Sequence, residues 1–166
     1  VISQNTITSA SGYIYYYAVS CTYCDNALNF TGNKISIGSG RGADFSSCYG
    51  TSAAPGLIAN NFIQSGNYES CMLIQYCSYQ NVYFNSINKT GPQSGTSALY
   101  ISSGSYFNIK NNILVNYGGG YALLLYGSNL ECNYNDLYTT GLILANNGSN
   151  DFSDLKADRK STRLNS

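Results

Sequence analysis

The chain has 166 residues, eight basic against eight acidic side chains, no histidine, no tryptophan and only 10% charged residues. So few charges exclude a helical bundle, whose surface would be laden with Glu and Lys. The bases ahead of residue 158 (Lys34, Arg41, Lys89, Lys110 and Lys156) are too scattered for a nucleic-acid footprint. What remains, rich in Tyr (17) and Gly (17), is a β-forming, weakly charged sequence.

Its elements recur in chain order. An asparagine at position n, with an apolar residue at n−3 and an aliphatic at n+2, occurs as Asn5/Ile7, Phe30/Asn33/Ile35, Ile58/Asn61/Ile63, Val82/Asn85/Ile87, Ile109/Asn112/Leu114 and Cys132/Asn135/Leu137. The asparagine intervals are 28, 28, 24, 27 and 23 residues, a period that marks a stacked repeat protein. The two apolar positions lie five residues apart, so in one continuous strand they would point to opposite faces. A bend at the asparagine, a residue tolerant of the left-handed region, resolves the conflict. Each repeat is therefore expected to set two short strands, n−5 to n−1 and n+1 to n+3, around a corner at n. The amide at n has donor and acceptor, so Asn33, Asn61, Asn85, Asn112 and Asn135 are expected to form a hydrogen-bonded ladder from turn to turn.

A third strand precedes these two, at Met72-Leu73-Ile74, Ala98-Leu99-Tyr100-Ile101 and Ala122-Leu123-Leu124. Counted from Ile74, Ile101 and Leu124, the following asparagine is always 11 residues away. Insertions interrupt this regularity at 46–55 (SSCYGTSAAP) and 88–96 (NKTGPQSGT), each carrying one of the two prolines and the Gly and Ser expected of loops. After Leu137 the pattern loosens: Gly141 to Ala145 reads as one more strand, and Ser153 as the cap of a starting helix. Three short strands per turn, stacked in register with parallel crossovers of the usual hand, predict an all-β, right-handed single-stranded parallel β-helix of about six rungs. The division is rungs over 1–145, a closing segment over 146–157 and a tail over 158–166.

The tail, DRKSTRLNS, resembles read-through of a common sequencing adapter and is excluded from fold reasoning. Without it the charge is seven acids against five bases. Val1 and the half repeat at the start read as truncation at both ends, so the remainder of the chain's own β-helix is an expected partner.

The recurring Asn-x-[Ile/Leu] after an aliphatic strand resembles the right-handed parallel β-helix repeat of pectate-lyase-like and NosD-like proteins over residues 1–145. The segment from Asn133 to Ala157 is similar to one that closes β-helices in large secreted or surface-attached bacterial proteins. The resemblance implies a secreted or cell-surface location, no membrane insertion, and either a structural or glycan-binding solenoid or a polysaccharide lyase or glycoside hydrolase.

Polysaccharide cleavage on such a fold needs clustered carboxylates, or calcium-holding carboxylates beside a base. Asp25, Asp44, Glu69, Glu131, Asp136, Asp151 and Asp154 fall at unrelated repeat positions, so no catalytic residue is assigned. Cys48 and Cys77 stand where Gly104 and Gly127 stand later, with Cys21 as the expected equivalent one turn earlier. These read as small buried side chains. Cys21-x-x-Cys24 has no second pair and no histidine to complete a zinc site, so no metal or cofactor is assigned, although a Cys21–Cys24 or Cys71–Cys77 disulfide remains open in an oxidising compartment. The candidate ligand-binding residues are tyrosines: Tyr76 and Tyr126, two after the strand anchor, and Tyr79 and Tyr106, five after it. Stacked aromatic columns suit sugar rings, while cross-turn packing is the plainer account of the same columns. The expectation is a non-catalytic β-solenoid segment of an extracellular or cell-surface protein, either a structural stalk or an adhesive surface that binds a polysaccharide or cell-surface glycan. The alternative is a fragment of a polysaccharide lyase or glycoside hydrolase, its catalytic acids outside this segment.

Overall fold

A computed structural model describes residues 1–9, 16–67 and 70–153. Its strands follow one another in triplets, one triplet per turn. They are β1 (Ile2–Ser3), β2 (Thr6–Thr8) and β3 (Tyr17–Thr22), then β4 (Asn29–Thr31), β5 (Lys34–Ser39) and β6 (Arg41–Ser46). Next come β7 (Gly56–Ala59), β8 (Phe62–Asn67) and β9 (Met72–Gln75), then β10 (Cys77–Tyr83), β11 (Ser86–Lys89) and β12 (Ser97–Ile101). The series ends with β13 (Gly104–Lys110), β14 (Ile113–Asn116), β15 (Tyr121–Leu125), β16 (Ser128–Asn133), β17 (Asp136–Thr139), β18 (Ala145–Asn146) and β19 (Asp151–Phe152).

Every third strand pairs in parallel, giving a first sheet β1-β4-β7-β10-β13-β16, a second β2-β5-β8-β11-β14-β17 and a third β3-β6-β9-β12-β15-β18 closed by β19. This is an all-β parallel β-helix, and the corner asparagines from Asn5 to Asn135 delimit about five turns. No helix occurs among the described residues.

Inside the coil, like positions stack. Phe30, Ile58, Val82, Ile109 and Cys132 are buried in one column, and Ile35, Ile63, Ile87 and Leu114 in the next. The asparagine ladder runs beside them. Each Asn Nδ2 donates to Oδ1 of the asparagine one turn on: Asn5 to Asn33 at 3.0 Å, Asn33 to Asn61 at 3.0 Å, Asn61 to Asn85 at 2.9 Å, Asn85 to Asn112 at 3.0 Å and Asn112 to Asn135 at 2.9 Å. The backbone N–H of Asn5, Asn33, Asn61, Asn85 and Asn112 donates to the same oxygen. From Asn33 to Asn135 an amide hydrogen also goes to the n−3 carbonyl one turn back, whereas Asn5 Nδ2 donates to the Ser3 carbonyl. Full satisfaction makes these buried amides inexpensive to bury.

The bend itself lies one residue earlier than expected. Positive φ falls at n−1, on Gln4, Gly32, Asn60, Phe84, Asn111 and Tyr134 (54° to 66°), and not on the ladder asparagines. The first strand of each repeat accordingly ends at n−2. Asparagine at n keeps ordinary backbone angles because its side chain is committed to the ladder.

Three further expectations change. The third sheet pairs Ile101 with Leu125, not Leu124, so the last turn is one residue shorter at that corner and Tyr126 follows its anchor directly. Gly141–Ala145 is not a strand: β18 begins only at Ala145, and β19 returns antiparallel through a turn with Asn147 N–H on the Asn150 carbonyl at 3.2 Å, covering the sheet end. Cys21 pairs with Phe45, so Cys24, not Cys21, is the residue over Cys48. Beyond Ser153, the expected helix and the tail lie outside the described residues.

Both insertions are loops between sheets, at 50–55 and 90–96. The second is anchored by Lys89, fully buried, whose Nζ donates to the carbonyls of Gly66 at 2.5 Å and Gly91 at 3.4 Å. Burial pushes that ammonium's pKa down.

Candidate functional site

Among the described residues, the first sheet carries left-handed residues within its strands, which the other two lack. In β10 and β13 the register pairs Ser78 with Ser105 and Gln80 with Phe107, stepping over Tyr79 and Tyr106. Both tyrosines have positive φ, 52° and 60°, and Asn129 in β16 has 52° at the same height. The left-handed residue reverses the alternation locally, sending Gln80, Phe107 and Leu130 inward and Asn81, Asn108 and Glu131 outward. For a bulky tyrosine this conformation costs on the order of 1 kcal/mol, and backbone strain of this sort concentrates at functional sites.

The result is a shallow groove of about 450 Å³ on the outer face of the sheet. Tyr79 and Tyr106 form its aromatic wall, stacked with ring centroids 4.5 Å apart and planes within 6°. One turn before Tyr79, the same position is occupied by the 50–55 loop. Ser52 and Pro55 from that loop therefore close the end of the groove. The loop is held by reciprocal Thr51 and Ala54 backbone hydrogen bonds at 3.0 and 3.2 Å.

The floor is polar. Asn81 Oδ1 accepts from Asn108 Nδ2 at 2.8 Å and from the Tyr83 hydroxyl at 3.1 Å. Among the described residues, Asn81 Nδ2 and Asn108 Oδ1 have no hydrogen-bond partner. At the far end Lys110 Nζ donates to Glu131 Oε1 at 2.7 Å, and this ion pair holds the lysine pKa above its ordinary value. The groove thus joins an aromatic face, free amide groups and one exposed ion pair. That combination suits a ligand with apolar faces and hydroxyls.

Of the candidate tyrosines, Tyr79 and Tyr106 line the groove and Tyr76 and Tyr126 do not. Tyr76 is exposed at a corner with φ 53°, and Tyr126 packs edge-on against Tyr100 on the third sheet, centroids 5.6 Å apart. Asn81, Tyr83, Asn108 and Asn129 escape the sequence reading, and Lys110 and Glu131 enter it only as scattered charges, because solvent-facing positions carry no apolar period. The stack of n−4 residues, Asn81, Asn108 and Glu131, is the signal that could have found them.

The remaining acids do not assemble. Asp44 is buried in an ion pair with Arg41, Asp151 accepts from Asn146 Nδ2 at 2.6 Å, and Asp136 is exposed on β17. Glu69 and Asp154 lie outside the described residues. The cysteines are buried or half-buried, with a Cys21–Cys24 disulfide and Cys48, Cys71, Cys77 and Cys132 as thiols. No protein-family model, curated protein or solved structure matches the chain.

Proposed function

We propose that this chain is a non-catalytic β-solenoid segment of an extracellular or cell-surface protein, of the pectate-lyase-like and NosD-like kind, and that its first-sheet groove binds a polysaccharide or cell-surface glycan. The observation that carries this reading is the Tyr79–Tyr106 stack held in left-handed conformation above the open amides of Asn81 and Asn108. A pyranose ring lays its C–H face on an aromatic ring and its hydroxyls on amide groups, and the groove supplies both at adjacent turns. The Cys21–Cys24 disulfide favours an oxidising compartment.

Catalysis has less support. Glu131 is the one carboxylate among the residues lining the groove, whereas glycoside hydrolysis uses two. β-Elimination needs a base, and Lys110 is kept protonated by its ion pair. An enzyme-fragment reading would place the acids outside this segment.

A glycan-array screen of the wild-type chain and of a Tyr79→Ala/Tyr106→Ala variant, run beside reducing-end and unsaturated-product assays on acidic polysaccharides, tests the proposal. The expected result is glycan binding that the double variant loses, with no product. Binding that survives the double substitution would move the site elsewhere, and product formation would replace binding by catalysis.

A further inference from the structure

Four sulfurs scattered over 57 residues of sequence meet at one corner of the coil. Cys21 pairs with Phe45 and Thr22 with Ser46, and Tyr23 and Ser47 then turn with φ 57° and 54°. Cys24 therefore stands directly over Cys48. One turn on, Phe45 pairs with Ile74, and Tyr49 with Ser78, which puts Cys48 over Cys77. The column ends at Gly104, where φ is 121° and a side chain would strike the Cys77 carbonyl at 1.9 Å. The sulfurs of Cys21, Cys24 and Cys48 all lie within 4.8 Å of one another, and Cys77 Sγ accepts the Cys48 N–H at 3.3 Å. In-register neighbours in a parallel sheet have Cα atoms about 4.8 Å apart, inside the span a disulfide bridges.

We propose that this corner is a thiol–disulfide exchange site, in which Cys48 attacks the Cys21–Cys24 disulfide at Cys24 and converts a bond within one loop into a covalent bridge between successive turns. The Cys48 thiolate lone pair forms the new Cys24–Cys48 bond as the Cys21–Cys24 bond breaks. Cys21 leaves as thiolate and takes the proton that Cys48 gave up. One disulfide is present before and after, so no external oxidant or reductant enters. Attack at Cys24, not Cys21, follows from the register, because only Cys24 shares the column of Cys48.

Cys77 is the positioning residue. Its thiol keeps its proton, raised by the hydrogen bond it makes to Cys48, and that hydrogen bond lowers Cys48 to about 7. Cys48 is fully buried, so exchange is confined to its neighbours and does not need an outside thiol to enter.

The test is acid-quenched peptide mapping of the oxidised full chain between pH 5 and 9. Free thiols are blocked at the quench and the chain is cut by trypsin at Lys34 and Arg41. The Cys21–Cys24 bond stays inside one peptide, whereas Cys24–Cys48 joins two. The proposal expects both species, interconverting at a rate that rises with pH and levels off above about 7. In Cys77→Ala, which deletes the donor, the same rise should move toward the ordinary thiol range of roughly 8.5. Cys21→Ser, in a glutathione redox buffer, should give a folded chain bridged Cys24–Cys48. A Cys21–Cys24 bond alone at every pH, a Cys21–Cys48 bond, or unbridged Cys24 and Cys48 in folded Cys21→Ser would overturn it. So would a cobalt thiolate charge-transfer band in the reduced protein without any exchange in the oxidised one, which would make the corner a metal site.

Discussion

Two stacks of asparagine run along this coil, and they differ in what their amides are left to do. The inner stack, at Asn33, Asn61, Asn85 and Asn112, is buried, and each side chain spends both amide hydrogens and its oxygen on neighbouring turns. The outer pair, Asn81 and Asn108, repeats the same turn-to-turn amide contact at 2.8 Å on the opposite side of the strand wall, but leaves a donor and an acceptor unmatched. Residue type and spacing are nearly identical. Saturation turns one stack into architecture, and open valence makes the other available for recognition.

The largest expected break in this comparison comes from the inner stack. Asn85→Ala removes its hydrogen bonds to the adjacent turns and strands the backbone N–H and one side-chain amide hydrogen of Asn61 in the interior, a loss of about 2–4 kcal/mol. Thermal melting should fall by roughly 5–15 °C. Asn88→Ala, whose amide oxygen has no partner, should change melting by far less. Equal melting points for the two would remove the ladder's role.

Tyr106→Ala ranks next, measured on glycan affinity. Losing one stacked ring should weaken binding about tenfold. Melting should change only modestly, since Tyr106 is 47% exposed. Asn108→Ala should weaken binding about threefold, the value of one neutral hydrogen bond.

The smallest effect belongs to the Lys110–Glu131 pair. The folded lysine pKa lies above the ordinary 10.5, so the pair's contribution is fully present below that value and is lost as pH rises through the raised one. Wild type should therefore lose slightly more melting temperature than Lys110→Met between pH 9 and 11.5. Because the pair is exposed, about 0.5 M salt should erase the difference.

Much of the architecture was legible because burial imposes a period. The n−3 and n+2 columns, the third strand and both loop insertions follow from where apolar residues must face. The misplacements occur where that constraint is silent. Leu123, Leu124 and Leu125 are three consecutive leucines, all buried, and hydrophobicity cannot say which one pairs with Ile101. Phe84 and Tyr134 have no preference for positive φ, yet both adopt it at the corner because the next residue's amide is fixed in the ladder. Cys24 lies over Cys48 because the chain turns at Tyr23, a geometry that spacing from Cys21 does not reveal. The groove was half legible: Tyr79 and Tyr106 share a spacing, while their amide floor and the loop that closes it arise from a left-handed step visible only in three dimensions.

The most direct measurement is a glycan-array profile of wild type, Asn108→Ala and Tyr79→Ala/Tyr106→Ala, each verified as folded by its melting curve. The account predicts one shared class of bound glycans, weakened by the first variant and lost in the second, with melting retained. Binding that ignores both substitutions, or no bound glycan at all, would contradict it.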